Sequence, residues 1–137
     1  MSSLRHVETC FGCSSCNPSS LGIKVTRTVD GVEGSVRFGA DAEGAPGLVH
    51  GGLLATFADE VMGHVEHGGN AVRVTAELCI RYRRPTPLGT ELRCRARRGE
   101  TSERRFVVHA EITRADDATV LAEANATYVL LVPKEGP

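Results

Sequence analysis

The densest concentration of reactive groups is His50-Gly51-Gly52 followed by the acidic pair Asp59-Glu60. Two glycines at a helix start would leave main-chain N–H groups bare where unpaired donors and the positive end of the macrodipole gather. Such a setting polarises an anion or a developing oxyanion. A carboxylate complements it by drawing a proton from water as the water attacks a carbonyl. Asp59 lies eight residues past Gly51, roughly 12 Å along a helix axis. One copy cannot aim both groups at one carbonyl. Two antiparallel copies across a two-fold axis can, the amide of one protomer facing the carboxylate of the other, so the spacing predicts a site shared between subunits. The plainer alternative is a tight glycine turn and an ordinary exposed Asp59.

The element that must carry these groups is a helix. Leu53, Leu54, Phe57, Ala58, Val61, Met62 and Val65 fall on one stripe, the mark of a helix with one buried face. Pro46 and Gly47 break any preceding structure, and Gly68-Gly69-Asn70 predicts a stop at about His67. Asp59 is off the stripe and Glu60 near its margin. They point about 100° apart, so only one reaches a common site, and Asp59 is the better candidate. The breaker-rich run from Gly39 to Gly47 is expected to be a flexible lip to a pocket.

Everything else reads as sheet. Leu21, Ile23 and Val25 alternate with polar residues, Asp30-Gly31 signals a hairpin, and Val32 to Phe38 returns. After the helix, even positions stay apolar from Val72 through Tyr82, Leu92 through Ala96, Phe106 through Ile112 and Val120 through Leu130. The pattern predicts strands with one core face and one wet face, joined as a meander. Ala122, Ala124 and Ala126 would let the helix lie close. The expected architecture is α+β: one long central helix wrapped by a five- to six-stranded antiparallel sheet. Residues 1–20 read as a tail and cysteine-rich loop, 21–132 as the domain and 133–137 as a second tail.

Composition narrows the function. The 137 residues make one domain. A net charge of −1, with 24% charged and 41% hydrophobic residues, is ordinary for a soluble protein and offers no footprint for nucleic acid. At 4% aromatic residues and no Trp, a stacking platform for single strands is not expected either. No run approaches the roughly 20 apolar residues of a membrane span, and the first residues do not read as a signal peptide. Five cysteines, an odd number, point to free thiols in a reducing compartment, the cytoplasm.

Two further clusters bear on chemistry. Cys10, Cys13 and Cys16, set among Gly, Ser, Asn and Pro, can hold zinc or iron–sulfur, but a closed site wants four ligands and no second Cys-x-x-Cys follows. The expected reading is a turn packed under the sheet, with no metal and no cofactor; a small metal protein using these three cysteines is a separate class. His6 is a distant fourth ligand, and His64 with His67, three apart, lack others. Arg81, Arg83, Arg84, Arg93, Arg95, Arg97 and Arg98 form a basic band. Arg83 or Arg84 is the best candidate for gripping phosphate. Cys79 and His109 sit where a dimer partner could meet them, and Cys94 reads as core.

Taken together, Cys10-Phe-Gly-Cys13, Asn17-Pro18, Leu21-Gly22, Pro46 to Gly52 with Asp59, and Tyr82-Arg-Arg-Pro-Thr-Pro-Leu88 resemble the hot-dog-fold acyl-CoA thioesterases of the PaaI and THEM4-like group, over roughly residues 10 to 132. The resemblance implies a hot-dog fold, dimers joined sheet edge to sheet edge, in many cases paired again into tetramers, and hydrolysis of an acyl-CoA or acyl-carrier thioester without cofactor. It implies that the Gly51 amide polarises the thioester carbonyl with Gly52 beside it, that His50 shapes the loop, and that Asp59 is general base or nucleophile. Thr75 would hold the lytic water or steady the carboxylate. Many PaaI-like members carry Asn where this chain has Gly44, which favours the THEM4-like pattern. Leu54 and Phe57 would line the acyl pocket. The rival class on the same fold is a non-catalytic acyl-thioester binder.

Overall fold

The computed structural model describes residues 7–65 and 72–131. Strands β1 (Lys24–Arg27) and β2 (Gly31–Arg37) are followed by helix α1 (Gly51–Gly63), then β3 (Val72–Tyr82), β4 (Glu91–Thr101), β5 (Arg105–Arg114) and β6 (Val120–Leu131). One six-stranded sheet has the order β1-β2-β4-β5-β6-β3, and every pairing is antiparallel. The inward positions bury Val32 and Val36, Leu92, Cys94 and Ala96, Phe106 through Ile112 at even positions, and Ala122, Ala124 and Ala126. Against them lie Leu54, Phe57, Ala58, Val61 and Met62 of α1. The approach is close at Gly34, where an added Cβ would fall 2.3 Å from Val61 Cγ2. This is the expected helix wrapped by a sheet.

The strand connection differs from the expected meander. Only β4, β5 and β6 follow it, while β3 pairs with β6 at the far edge. The cause is the helix, which carries the chain from β2 across the sheet face. The segment after it starts at the opposite edge, and residues 83–90 must return so that β4 can pair with β2.

The simple even-in alternation also fails in β3. A β-bulge shifts register between Thr75 and Glu77, and one extra residue exchanges the two faces of a strand. Leu78 and Ile80 keep their inward places, but Val72 and Val74 are 59% and 39% exposed. Thr75 and Arg73 take the helix side instead, against their expected wet-face position.

Three smaller corrections concern the helix and its flanks. The helix ends at Gly63, not near His67, with a tight closing bond from His64 N–H to Val61 O at 3.0 Å. Glycine is a poor helix residue, and an i→i−3 bond is the usual tightening of a last turn. His6 and His67 lie outside the described residues. The run before the helix is not a loose lip: Ala40–Ala42 form a 3-10 turn, and bonds from Val49 N–H to Thr86 O, His50 N–H to Ala42 O and Leu88 N–H to Gly47 O lace it in place. The cysteine loop packs on the helix at Glu60 rather than under the sheet. No helix among the described residues is long and apolar enough to cross a membrane.

Burial pushes the Cys94 thiol up to about 12. A folded-state value raised above the unfolded value of about 8.5 gives stability that is complete below that pH and is lost as pH rises toward the folded value. Unfolding free energy should therefore decline above about pH 9, this group contributing up to about 1.4 kcal/mol per pH unit. Urea titrations at several alkaline pH values should show a flatter decline for Cys94→Ala than for wild type; equal slopes would remove the buried thiol as the cause.

Candidate active site

His50 caps the helix. Its backbone stays extended at φ −58° and ψ 130°, and its Nδ1 accepts from the Gly52 N–H at 2.9 Å. A neutral ring accepting at Nδ1 carries its proton on Nε2. Two open glycine amides were expected, and one is already taken. The Gly51 N–H, at the first helical position, has no hydrogen bond among the described residues. Tyr82 of β3 ties down the same turn by donating to the Gly51 carbonyl at 2.7 Å. Gly44 packs against the motif, since a Cβ there would lie 2.8 Å from His50 Cα. The loop has no room for the Asn that the resemblance leads one to look for.

A cavity of about 670 Å³ opens over this helix end, lined among others by His50, Gly51, Leu54, Tyr82, Arg83 and Arg84. Arg83 is engaged by Glu123, whereas Arg84 has no ion pair among the described residues. Phe57 does not line the cavity. It is fully buried and meets Phe38 edge-on with centroids 6.4 Å apart, so the helical stripe that nominated it marks core. Sequence reasoning passed over Thr86 because it sits between two prolines. It also lines this cavity, 2% exposed, and its Oγ1 has no partner among the described residues.

Two turns along the helix, Asp59 is held from two strands. Thr75 Oγ1 and Tyr128 Oη each donate to Asp59 Oδ1 at 2.8 Å, and Tyr128 also reaches the Asp59 carbonyl at 3.1 Å. Oδ2 has no hydrogen bond among the described residues and stays available. Thr75 thus braces the carboxylate, one of its two expected roles, and the bulge in β3 makes the contact geometrically possible. Tyr128 was counted only as core. It is 2% exposed and stacked on Phe106 at 5.4 Å, but its hydroxyl is the one polar group among the alanines facing the helix from β6. Burial, and next the charge of Asp59, push the Tyr128 phenol far above its usual range, so it remains a donor. None of Asp59, Thr75 and Tyr128 lines the cavity at the helix start.

Glu60 turns away as helix geometry requires. It accepts from Cys10 Sγ at 3.4 Å and lies 2.7 Å from His64 Nε2. Burial and the neighbouring Glu60 push the Cys13 thiol up. Other parts of the basic band are absorbed in surface pairs, Arg93 and Arg95 with Glu33. His109 Nδ1 meets Asn125 Oδ1 on the outer face.

Residues 46–121 match the thioesterase superfamily. The acyl-coenzyme A thioesterase THEM4 of Bos taurus is 31% identical over 93 residues, covering 68% of this chain and 38% of that protein. The chain thus spans well under half the length of this curated relative. The conserved protein PA5202 from Pseudomonas aeruginosa superposes with a TM-score of 0.74 at 30% identity, covering 85% of this chain and 94% of that one. BH2602 from Bacillus halodurans, solved with CoA, gives a TM-score of 0.74 at 27% identity over 85% of this chain and 78% of that one.

A hydrogen bond to a charged group is worth about 1.5–3 kcal/mol. Tyr128→Phe should lower unfolding free energy by about that amount in the wild-type background and by clearly less in an Asp59→Ala background, where the charged acceptor is gone. Chemical denaturation of the four proteins measures the difference; the same loss in both backgrounds would break the assigned coupling.

Proposed function

The chain belongs to the thioesterase superfamily, and from that premise we propose that it hydrolyses acyl-CoA thioesters as a homodimer, or a dimer of dimers, with sites shared between subunits. The observation that carries this reading is the Gly51 N–H at the helix start, unengaged among the described residues, together with a braced Asp59 two turns further on. The substrate carbonyl oxygen accepts from Gly51 N–H of one subunit. Asp59 Oδ2 of the other takes a proton from water as the water oxygen bonds to the carbonyl carbon. The tetrahedral oxyanion is held by the amide, the C–S bond then breaks, and the proton passes from Asp59 to the departing thiolate. Acid and thiol leave.

Thr75 and Tyr128 hold Oδ1 so that Oδ2 keeps one direction through this cycle. His50 keeps the first turn in register by occupying Gly52, which leaves a single amide for the oxyanion. Leu54 and the cavity beside it accommodate the acyl–thioester region. Arg84, without an ion pair among the described residues, is the favoured contact for the phosphates of CoA, with Arg83 beside it. The CoA in the related BH2602 structure supports that substrate class. The long β3 edge, whose outer side has no neighbouring strand among the described residues, supports edge-to-edge dimers, since an uncovered edge is a template for another chain. Five cysteines, none of them in a disulfide, support the cytoplasm as its compartment.

Asp59→Asn should lower kcat by about 10²–10⁴-fold. Gly51→Pro deletes the amide at the one helical position where proline is tolerated, and should cost about 10²–10³-fold. The decisive measurement mixes the two inactive chains. A heterodimer combines wild-type Gly51 of one subunit with wild-type Asp59 of the other at one of its two sites. Random assortment should restore about a quarter of the wild-type rate of thiol release. No recovery in verified heterodimers would rule out sharing between subunits, and an undiminished Asp59→Asn rate would eliminate the base. Saturable acyl-CoA binding without thiol release by wild type would make the protein a binder.

A further inference from the structure

The Cys10-x-x-Cys13 segment has no role in the hydrolysis proposed above, yet the fold docks it firmly. Leu21 N–H donates to Phe11 O at 2.8 Å and Ile23 N–H to Gly12 O at 2.9 Å. The loop then lies so close to the helix that a Cβ on Gly12 would fall 2.3 Å from Glu60 Oε1. This approach sets Cys10 Sγ 3.4 Å from Glu60 Oε1. One ligand atom each from Cys10, Cys13 and Glu60 falls within 4.8 Å of the other two, and all three residues are half-buried.

The 3.4 Å separation has the length of an edge of a coordination tetrahedron, and the other two, within 4.8 Å, need only a small closure to reach it. With Zn–S at about 2.3 Å and Zn–O at about 2.0 Å, a tetrahedral site has S···O near about 3.5 Å and S···S near about 3.8 Å. We propose that Cys10, Cys13 and Glu60 bind one divalent cation of the zinc class, with water in the fourth position. Two thiolates select a thiophilic ion over magnesium or calcium. His64, with Nε2 2.7 Å from Glu60 Oε2, holds the carboxylate from behind, the usual buttress of a ligating group. On binding, each thiol releases its proton to solvent. The dication with two thiolates and one carboxylate carries one net negative charge. Arg73, electrostatically coupled to Glu60 and Cys10, stands by to offset it. The ion ties residues 10–13 to the helix at the residue after Asp59. Cys16, exposed and outside the cluster, takes no part, so three cysteines at two-residue gaps are the wrong grouping and Cys-x-x-Cys with a distant Glu the right one.

The test uses the whole 137-residue chain, reduced, stripped with chelator and freed of it, then titrated with zinc chloride alone and in parallel with cobalt chloride. Wild type should retain one zinc per chain after gel filtration by elemental analysis, and the cobalt form should show thiolate-to-metal charge-transfer absorption. Cys10→Ser and Glu60→Gln should lose stoichiometric zinc, His64→Ala should bind about 10–100-fold more weakly, and Cys16→Ser and Cys79→Ser should bind as wild type. Circular dichroism of Glu60→Gln, nearly isosteric, separates a lost ligand from a lost fold. Only trace zinc in wild type, binding that survives in folded Glu60→Gln, or binding abolished by Cys16→Ser would each overturn the site. So would a Cys10–Cys13 disulfide that persists under reducing conditions, detected as a two-proton mass deficit. None of these outcomes touches thiol release, which tests hydrolysis separately.

Discussion

A helix has bare N–H groups at one end only, and it cannot bend that end toward a side chain two turns along its own axis. This constraint governs the molecule. Gly51 offers the only amide of the glycine pair left open by the His50 cap, and Asp59 is fixed eight residues downstream. In the proposed mechanism the two meet at a carbonyl only through a second copy of the helix. The fold supplies what such an exchange requires, a helix that cannot shift. Gly34 lets Val61 press onto the sheet, Tyr82 pins the first turn, and Tyr128 with Thr75 pins the third.

The bulge in β3 links the carboxylate to the sheet edge. Without the extra residue, Thr75 would point outward with Glu77 and Asp59 would lose one of its two braces. The same change of face turns Val72 and Val74 outward on an edge strand of 11 residues. An edge that long and apolar is a liability for a solitary chain. The strand that positions the carboxylate is therefore also the strand with most to gain from a partner, and the proposed shared site and the proposed paired edge would both follow from one local irregularity.

Sequence patterns with strong periodicity were legible. The stripe from Leu53 to Val65 marked the helix, alternation marked the core strands, and Gly51, Asp59 and Thr75 could be named before any coordinates. What stayed hidden depends on contacts distant in sequence. Periodicity cannot show that β3 crosses to the far edge, nor where a bulge inverts it, so Val72 and Val74 were assigned to the wrong face. An apolar stripe does not distinguish core from pocket lining, which misplaced Phe57. Tyr128 looked like core and is core; its hydroxyl matters only because Asp59, 69 residues earlier, stands opposite. The cap by His50 was equally invisible, because it turns on one side-chain rotation.

Asp59 and Glu60 show how adjacent, chemically similar groups acquire separate surroundings. About 100° of helix rotation sends Asp59 to hydroxyls on β3 and β6, and Glu60 to thiols and an imidazole under the N-terminal loop. Two carboxylates so close repel each other unless a cation stands near both. Arg73 interacts electrostatically with both. Burial lowers its affinity for a proton, while the charges of Glu60 and Asp59 work in the opposite direction. Guanidinium is the cation best suited to such a site, since its charge persists under desolvation that would neutralise a lysine. Arg73 lies on the same side of the bulge as Thr75, two residues before it, and so shares its face. A single inserted residue thereby brings both a hydroxyl and a permanent positive charge to the helix, and the two acids can remain side by side without sharing a fate.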